Sequence, residues 1–150
     1  MRGIIRDIEK SDYTFRPEND NSIENWLPKD RQISNSICQH AAQLSEQVSA
    51  TSIITMTYSG YNAVKMSSLR PKSFIYVFTN NYSILNKLSL IWGTKAYYFD
   101  RGLTTDQTII ETKEILRKNK HIKKGDFIVS LASMPASARG MTNMVKLTKE

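Results

Sequence analysis

The sequence predicts an α/β protein: a three-layer α/β/α sandwich on a mostly parallel sheet of about five strands, the last antiparallel at an edge. Three observations predict it. Unbroken apolar runs such as "SIITM", "FIYVFT" and "FIVSLA" are the signature of strands buried on both faces. Between them lie segments whose apolar residues recur at helical spacing, the rhythm of a parallel sheet covered by helices. The final run, "MVKLT", follows its neighbour through a loop with no room for a crossover helix. Parallel neighbours need about a dozen or more connecting residues, so this strand must turn back antiparallel.

Taken in order, residues 1–10 carry Ile4, Ile5 and Ile8 at helical spacing, a narrow apolar stripe on a short piece. Residues 11–30 hold two of the four prolines amid Asn, Asp and Ser, and read as an irregular linker. From Arg31 the pattern sharpens. Ile33, Ile37, Ala41, Leu44 and Val48 share one face of a helix. A strand through 51–57 leads into the turn "TYSGYN" and a short helix through Ala63, Val64 and Met66, which Pro71 stops by disfavouring helical geometry at Arg70.

The second strand is 73–79, followed by a helix over 83–92 that Gly93 closes. A third strand is expected at 95–100. Thr104 or Thr105 then caps a helix beginning at Asp106, an acid placed where the helix dipole favours one. Gly125 and Asp126 turn the chain into a fourth strand at 127–132. A loop over 134–143 precedes the last strand at 144–148.

Length and composition narrow the function. A chain of 150 residues suits one compact domain. One cysteine excludes an internal disulfide framework, and no Cys/His cluster suggests a metal. A cytoplasmic setting follows as the default. The net charge of +7 raises nucleic acid, but the lysines are scattered and no reading motif or aromatic-laced basic stripe accompanies them. No run approaches the ~18 apolar residues of a membrane span, and "MRGIIRDIEK" lacks the apolar centre of a secretory signal. Neither nucleic acid nor membrane is an expected partner.

The turn is the most informative stretch. Ligands of open α/β sheets sit outside the carboxyl ends of the strands, where Thr57–Asn62 lies. Thr57, Ser59 and Asn62 offer polar side chains, and Gly60 permits close backbone approach. The helix that follows aims amides and dipole outward. That chemistry suits phosphate. The turn has neither the lysine of a P-loop nor the G-x-G-x-x-G spacing, so a plain strand-to-helix cap stands beside the phosphate reading.

The succession "SIITMTYSGYNAVKMSSLRP", "FIYVFT", "LIWGTKAYYF" and "KKGDFIVSLASMPASARGMTNMVKL" resembles the C-terminal domain of pyruvate kinase, in a bacterial style, over residues 31–149. The T-x-S-G turn, the R-P and W-G pairs, the K-x-G-D turn and the closing T-N fall in the family's order. The resemblance implies an α/β domain over 31–150 that carries an allosteric effector site and helps to assemble a homotetramer. Residues 1–30 then become the remnant of a helix leaving the catalytic barrel, with its linker.

By resemblance, a phosphorylated metabolite is held by Thr57, Tyr58, Ser59, Gly60, Tyr61 and Asn62. A second loop, Ser133 to Thr142, faces it, with Arg139 and Gly140 beside the ligand. Asn62 replaces a common Thr or Ser, Tyr58 and Tyr61 replace smaller or basic residues, and Ser137 replaces a frequent glycine. The whole enzyme would move a phosphoryl group from phosphoenolpyruvate to ADP with Mg²⁺ and K⁺. The parts bearing those ions lie N-terminal to this segment in the family. The chain alone is therefore expected to be inactive and to hold no cofactor. The alternatives are an effector-free domain serving assembly, through strand 144–148 or the adjacent helices, and a free-standing phosphate-binding protein.

Other chemistry-bearing residues take quieter roles. His40 and His121 are expected at the surface, and Cys38 as a buried thiol. Trp92 packs a helix end, and Asp126 forms a turn. Glu111 and Glu114 face Lys113 and Lys118 on an exposed helix surface.

Overall fold

The computed structural model describes residues 27–100, 104–134 and 141–150. The expected helix at Ile4–Ile8 and most of the linker lie outside the described residues. Helix α1, Lys29–Gln47, starts from Pro28, whose carbonyl accepts the N–H groups of Arg31 (2.8 Å) and Gln32 (3.1 Å). Asp30 sits in the first turn, where negative charge suits the dipole.

The chain continues through β1 (Ser52–Met56), α2 (Tyr61–Ser68), β2 (Phe74–Thr79), α3 (Tyr82–Leu88) and β3 (Thr94–Tyr98). Then come α4 (Thr105–Lys118), β4 (Phe127–Ala132) and β5 (Met144–Lys149). The sheet order is β3-β2-β1-β4-β5. All pairings are parallel except β4–β5, which is antiparallel, with Ile128 opposite Thr148 and Leu131 opposite Val145. The edge strand deduced from loop length is therefore in place.

Alternate residues of the central strands feed two cores, one on each face. Ile53, Ile75, Val77, Val129 and Leu131 meet α1, α2 and α3 through Cys38, Ala41, Ala63, Met66 and Leu88. Ile54, Tyr76, Phe78 and Ile128 meet α4 and its approaches through Leu116, Ile122 and Phe99. Phe78 is fully buried between Tyr97 (centroids 5.4 Å) and Phe99 (6.0 Å). Each such side chain contributes about 1.5–3 kcal/mol by leaving water.

Three expectations are corrected in detail. The deeply buried side of α1 is Ser34, Asn35, Cys38, Ala41, Ala42 and Ser45. Ile37, Leu44 and Val48 flank it, and Ile33 is 42% exposed. Small residues let α1 lie close to the sheet and α2, so the large aliphatics pack at its sides. Helix α3 ends at Leu88 rather than at 92, because Leu90 and Ile91 donate to carbonyls only three residues back, at Lys87 and Leu88. On α4, Lys113 turns away from the helix surface to pair with Glu150 (2.9 Å).

Helix α4 is capped by Thr104. Its hydroxyl accepts the Gln107 N–H (3.3 Å) while the Gln107 side chain accepts the Thr104 N–H (3.2 Å), a capping box. Cys38 is buried, and Asp126 accepts the Lys123 N–H (2.9 Å) to close its turn, both as expected. His40 is a surface residue beside the Ser36 carbonyl (2.7 Å). His121 is tied down instead: it packs on Tyr76 (5.1 Å), and its Nε2 lies 3.0 Å from Lys95 Nζ.

Candidate functional site

The strand order reverses between β1 and β4: the chain steps from β1 out to β3, then returns across the sheet to β4. Such a switch opens a crevice beyond the carboxyl ends of the two strands. The β1–α2 turn, 57–60, and the segment following β4 border this crevice, and the N-terminus of α4 adjoins the latter.

The turn holds itself together. Thr57 N–H donates to Phe78 O (3.0 Å), carrying the β1–β2 ladder one residue past the strand. Thr57 Oγ1 then accepts the Gly60 N–H (2.9 Å), and Ser59 Oγ accepts the Tyr61 N–H (3.4 Å). Gly60 is the N-cap of α2 at φ +86°. A β-carbon there would meet Leu88 and Ile84 at 3.6 and 3.8 Å, ordinary contact distances. The left-handed backbone, rather than space, demands glycine. Asn62 and Ala63 follow in the first turn of α2, where N–H groups have no acceptor within the helix.

The tyrosines diverge. Tyr58 is 64% exposed, its carbonyl accepting from Asn81 Nδ2 (3.2 Å). Tyr61 turns toward α1: its hydroxyl donates to Asn35 Oδ1 (2.7 Å), and the Arg31 guanidinium lies 3.8 Å above its ring. Asn62 is buried and donates through Nδ2 to the Thr142 hydroxyl, while Thr142 N–H donates to Ser34 Oγ (3.1 Å).

The second loop is pinched at its base. Asn143 accepts the Met134 N–H (2.8 Å) and donates to the Met134 carbonyl (2.7 Å). Ser133 Oγ donates to Met141 O (2.7 Å), and Thr105 Oγ1 donates to Ser133 O (3.0 Å) from the start of α4. The closing T-N pair thus has a physical role: Thr142 docks the loop on α1 and α2, and Asn143 closes it. Arg139 and Gly140 lie outside the described residues.

Thr57, Ser59 and Gly60 are brought together in one turn, with Asn62 and Thr142 joined beneath them. Tyr58 and Tyr61 leave in different directions. Sequence reasoning missed Ser34, Asn35 and Thr105 as supports. The first two gave no signal of their own, because the large aliphatics of α1 mark a neighbouring side of the helix as the inward one. No His, Cys, Asp or Glu group that would hold a metal occurs among the described residues. None of their helices is long and apolar enough to cross a membrane.

Comparison with known proteins agrees with this architecture. The profile of the family described as "Pyruvate kinase, alpha/beta domain" matches residues 35–148. The pyruvate kinase of Clostridium acetobutylicum is 32% identical over 115 residues, covering 77% of this chain and 24% of that protein. That of Lactobacillus delbrueckii subsp. bulgaricus is 26% identical over 119 residues, covering 79% and 20%. Two crystal structures of Cryptosporidium parvum pyruvate kinase share the fold, each at 22% identity. Their TM-scores are 0.67 and 0.70, over 78% and 86% of this chain and 22% and 25% of theirs. The chain spans about a fifth to a quarter of the length of these relatives. With its profile matched over most of its length, the chain belongs to the pyruvate kinase family as an α/β domain of that enzyme.

Proposed function

We propose that this domain is the regulatory and assembly module of a cytoplasmic pyruvate kinase, and that it binds a phosphorylated metabolite at Thr57–Asn62. The observation that carries the reading is the turn itself. A self-braced Thr-Tyr-Ser-Gly turn lies at the switch-point crevice, opens a helix whose Asn62 and Ala63 amides have no intrahelical acceptor, and faces a pinched second loop. Phosphate is the ligand that such amides and hydroxyls suit. By the family resemblance, Arg139 and Gly140 would add a positive charge and a close backbone approach to the ligand.

In this reading the phosphoryl transfer from phosphoenolpyruvate to ADP, with its Mg²⁺ and K⁺, belongs to the barrel of the whole enzyme. The domain alone is inactive and acts on that barrel through effector-dependent contacts. Assembly into a homotetramer uses the β5 edge, Met144–Lys149, or the adjacent helices.

A second reading, assembly without an effector, is favoured by one specific feature. The Tyr61 hydroxyl and the Asn62 amide are already engaged with Asn35 and Thr142. One titration separates the two. Backbone resonances would be followed against inorganic phosphate, fructose 1,6-bisphosphate, glucose 6-phosphate, ribose 5-phosphate and AMP. Shifts at Thr57–Asn62 and in the 133–142 loop with one compound support the effector reading. A folded chain silent there to the whole panel leaves assembly as the function.

A further inference from the structure

The Thr57–Asn62 turn carries hydroxyls, amides and a glycine, but no cation of its own. A phosphoryl dianion held there would need its charge met from another segment. Helix α1 is placed to meet it. Thr142, in the loop beyond the carboxyl end of β4, donates its N–H to Ser34 near the start of α1 and accepts from Asn62 at the start of α2. The amino ends of the two helices therefore stand side by side at the carboxyl end of the sheet, and both dipoles favour an anion between them.

Tyr61 links the turn to α1. Its hydroxyl donates to Asn35 Oδ1 (2.7 Å), and the guanidinium of Arg31 lies 3.8 Å above its ring. Arg31 and Asn35 are four residues apart, on one side of α1. The tyrosine is thus gripped at its tip and on one face, which a smaller side chain at this position could not provide. Stacking engages only the face of the guanidinium. Its N–H donors lie in the plane and point outward, and among the described residues they have no acceptor and no carboxylate partner.

The surroundings leave that charge uncancelled. Lys29 and Asp30, the neighbours of Arg31 in the first turn of α1, are both exposed and of opposite sign. Arg31 itself is half-buried. Beside it, the Asn62 and Ala63 amides open α2 without an acceptor in the helix. A planar guanidinium and a phosphoryl group pair through two parallel hydrogen bonds, roughly twice as strong as neutral ones. Holding the arginine on a ring before the ligand arrives also lowers the ordering cost of binding.

We propose that Arg31 is a ligand-binding residue of this site: its guanidinium, held ready on the Tyr61 ring, pairs with the phosphoryl group of a metabolite seated on the Thr57–Asn62 turn. This assignment rests on the phosphate reading of the turn and adds to it a residue from a different helix. The ligand then bridges α1 and α2 directly, and the site selects a dianionic group over an uncharged one.

The test is an NMR titration of the full chain with inorganic phosphate, following backbone amides and arginine Nε–H signals together. Phosphate is expected to shift Thr57–Asn62 and the Arg31 Nε–H signal in step, with one dissociation constant. Arg31→Gln should weaken phosphate at least about tenfold, the loss of a charge-assisted pair, with the spectrum outside α1 and α2 in place. Arg31→Lys, which keeps the charge but not the planar fork, should fall between the two. A turn that responds to phosphate while the Arg31 Nε–H signal stays still, or while Arg31→Gln binds as tightly as wild type, overturns the role of Arg31 and leaves the reading of the turn standing. A turn silent to millimolar phosphate overturns the role of Arg31 as well, and the wider panel of phosphorylated metabolites then decides the turn separately.

Discussion

Asn62 at the start of α2 donates its side-chain amide to the hydroxyl of Thr142, 80 positions later in the chain. Both residues are buried, and Thr142 in turn donates its N–H to Ser34 on α1. One threonine therefore ties two helices to the loop after β4. Replacing it by the isosteric valine leaves the Asn62 amide buried without its acceptor, which costs about 1–3 kcal/mol. Urea unfolding of Thr142→Val, Asn62→Ala and the double variant should give a coupling of about 0.5–3 kcal/mol. Strict additivity would mean that the pair contributes nothing jointly.

Much of the fold was legible because its signals are local. Unbroken apolar runs marked β1, β2 and β4, and loop length alone placed β5 antiparallel at an edge. The inward side of α1 was misjudged because large aliphatics carry the periodic signal, whereas close approach to the sheet selects Ser34, Cys38, Ala41 and Ala42. The turn at Thr57–Gly60 could be read from its glycine and hydroxyls. Its braces could not, since Asn35, Asn81 and Thr142 reach it from distant segments.

Cys38 should be inert in the native protein. Burial pushes its thiol from 9.0 up to about 12, against a smaller opposing pull from the Lys65 ammonium. Reaction with a thiol reagent at pH 8 is expected only at the rate of unfolding, and to become rapid in denaturant. Because the folded pKa is raised, stability from this group is full below pH 9.0. It is lost progressively as pH climbs from there toward about 12. Cys38→Ala should flatten that alkaline decline; fast native-state labelling would contradict the buried placement.

Glu150 anchors the end of β5 to α4. Its carboxylate pairs with Lys113 (2.9 Å) and accepts from Arg117 Nε (2.7 Å), while its backbone N–H donates to Asp126 O (2.8 Å). The Lys113 hydrogen bond leads in lowering its pKa; burial opposes, and Arg117 adds to the lowering. A depressed carboxylate contributes stability above its unfolded value, about 4.3, and loses it as pH falls through the folded value. Glu150→Gln should cost about 1–3 kcal/mol at pH 7. The gap to wild type should narrow steadily below about pH 4; a gap independent of pH would mean that packing, not charge, holds this residue.

Gly60 and Ser49 make a matched pair with opposite expected signs. Both follow or precede a helix in the left-handed region, at φ +86° and +51°, but only one is a glycine. Gly60→Ala meets no close atom, its β-carbon falling 3.6 Å from Leu88, so its penalty is conformational alone, about 1–2 kcal/mol. Ser49→Gly removes the same kind of strain at the end of α1 and should stabilise by about 0.5–1 kcal/mol after the extra freedom glycine gives the unfolded chain. Thermal and urea unfolding of the two single variants measure both signs directly. If Ser49→Gly destabilises instead, the serine side chain holds a contact worth more than its backbone strain.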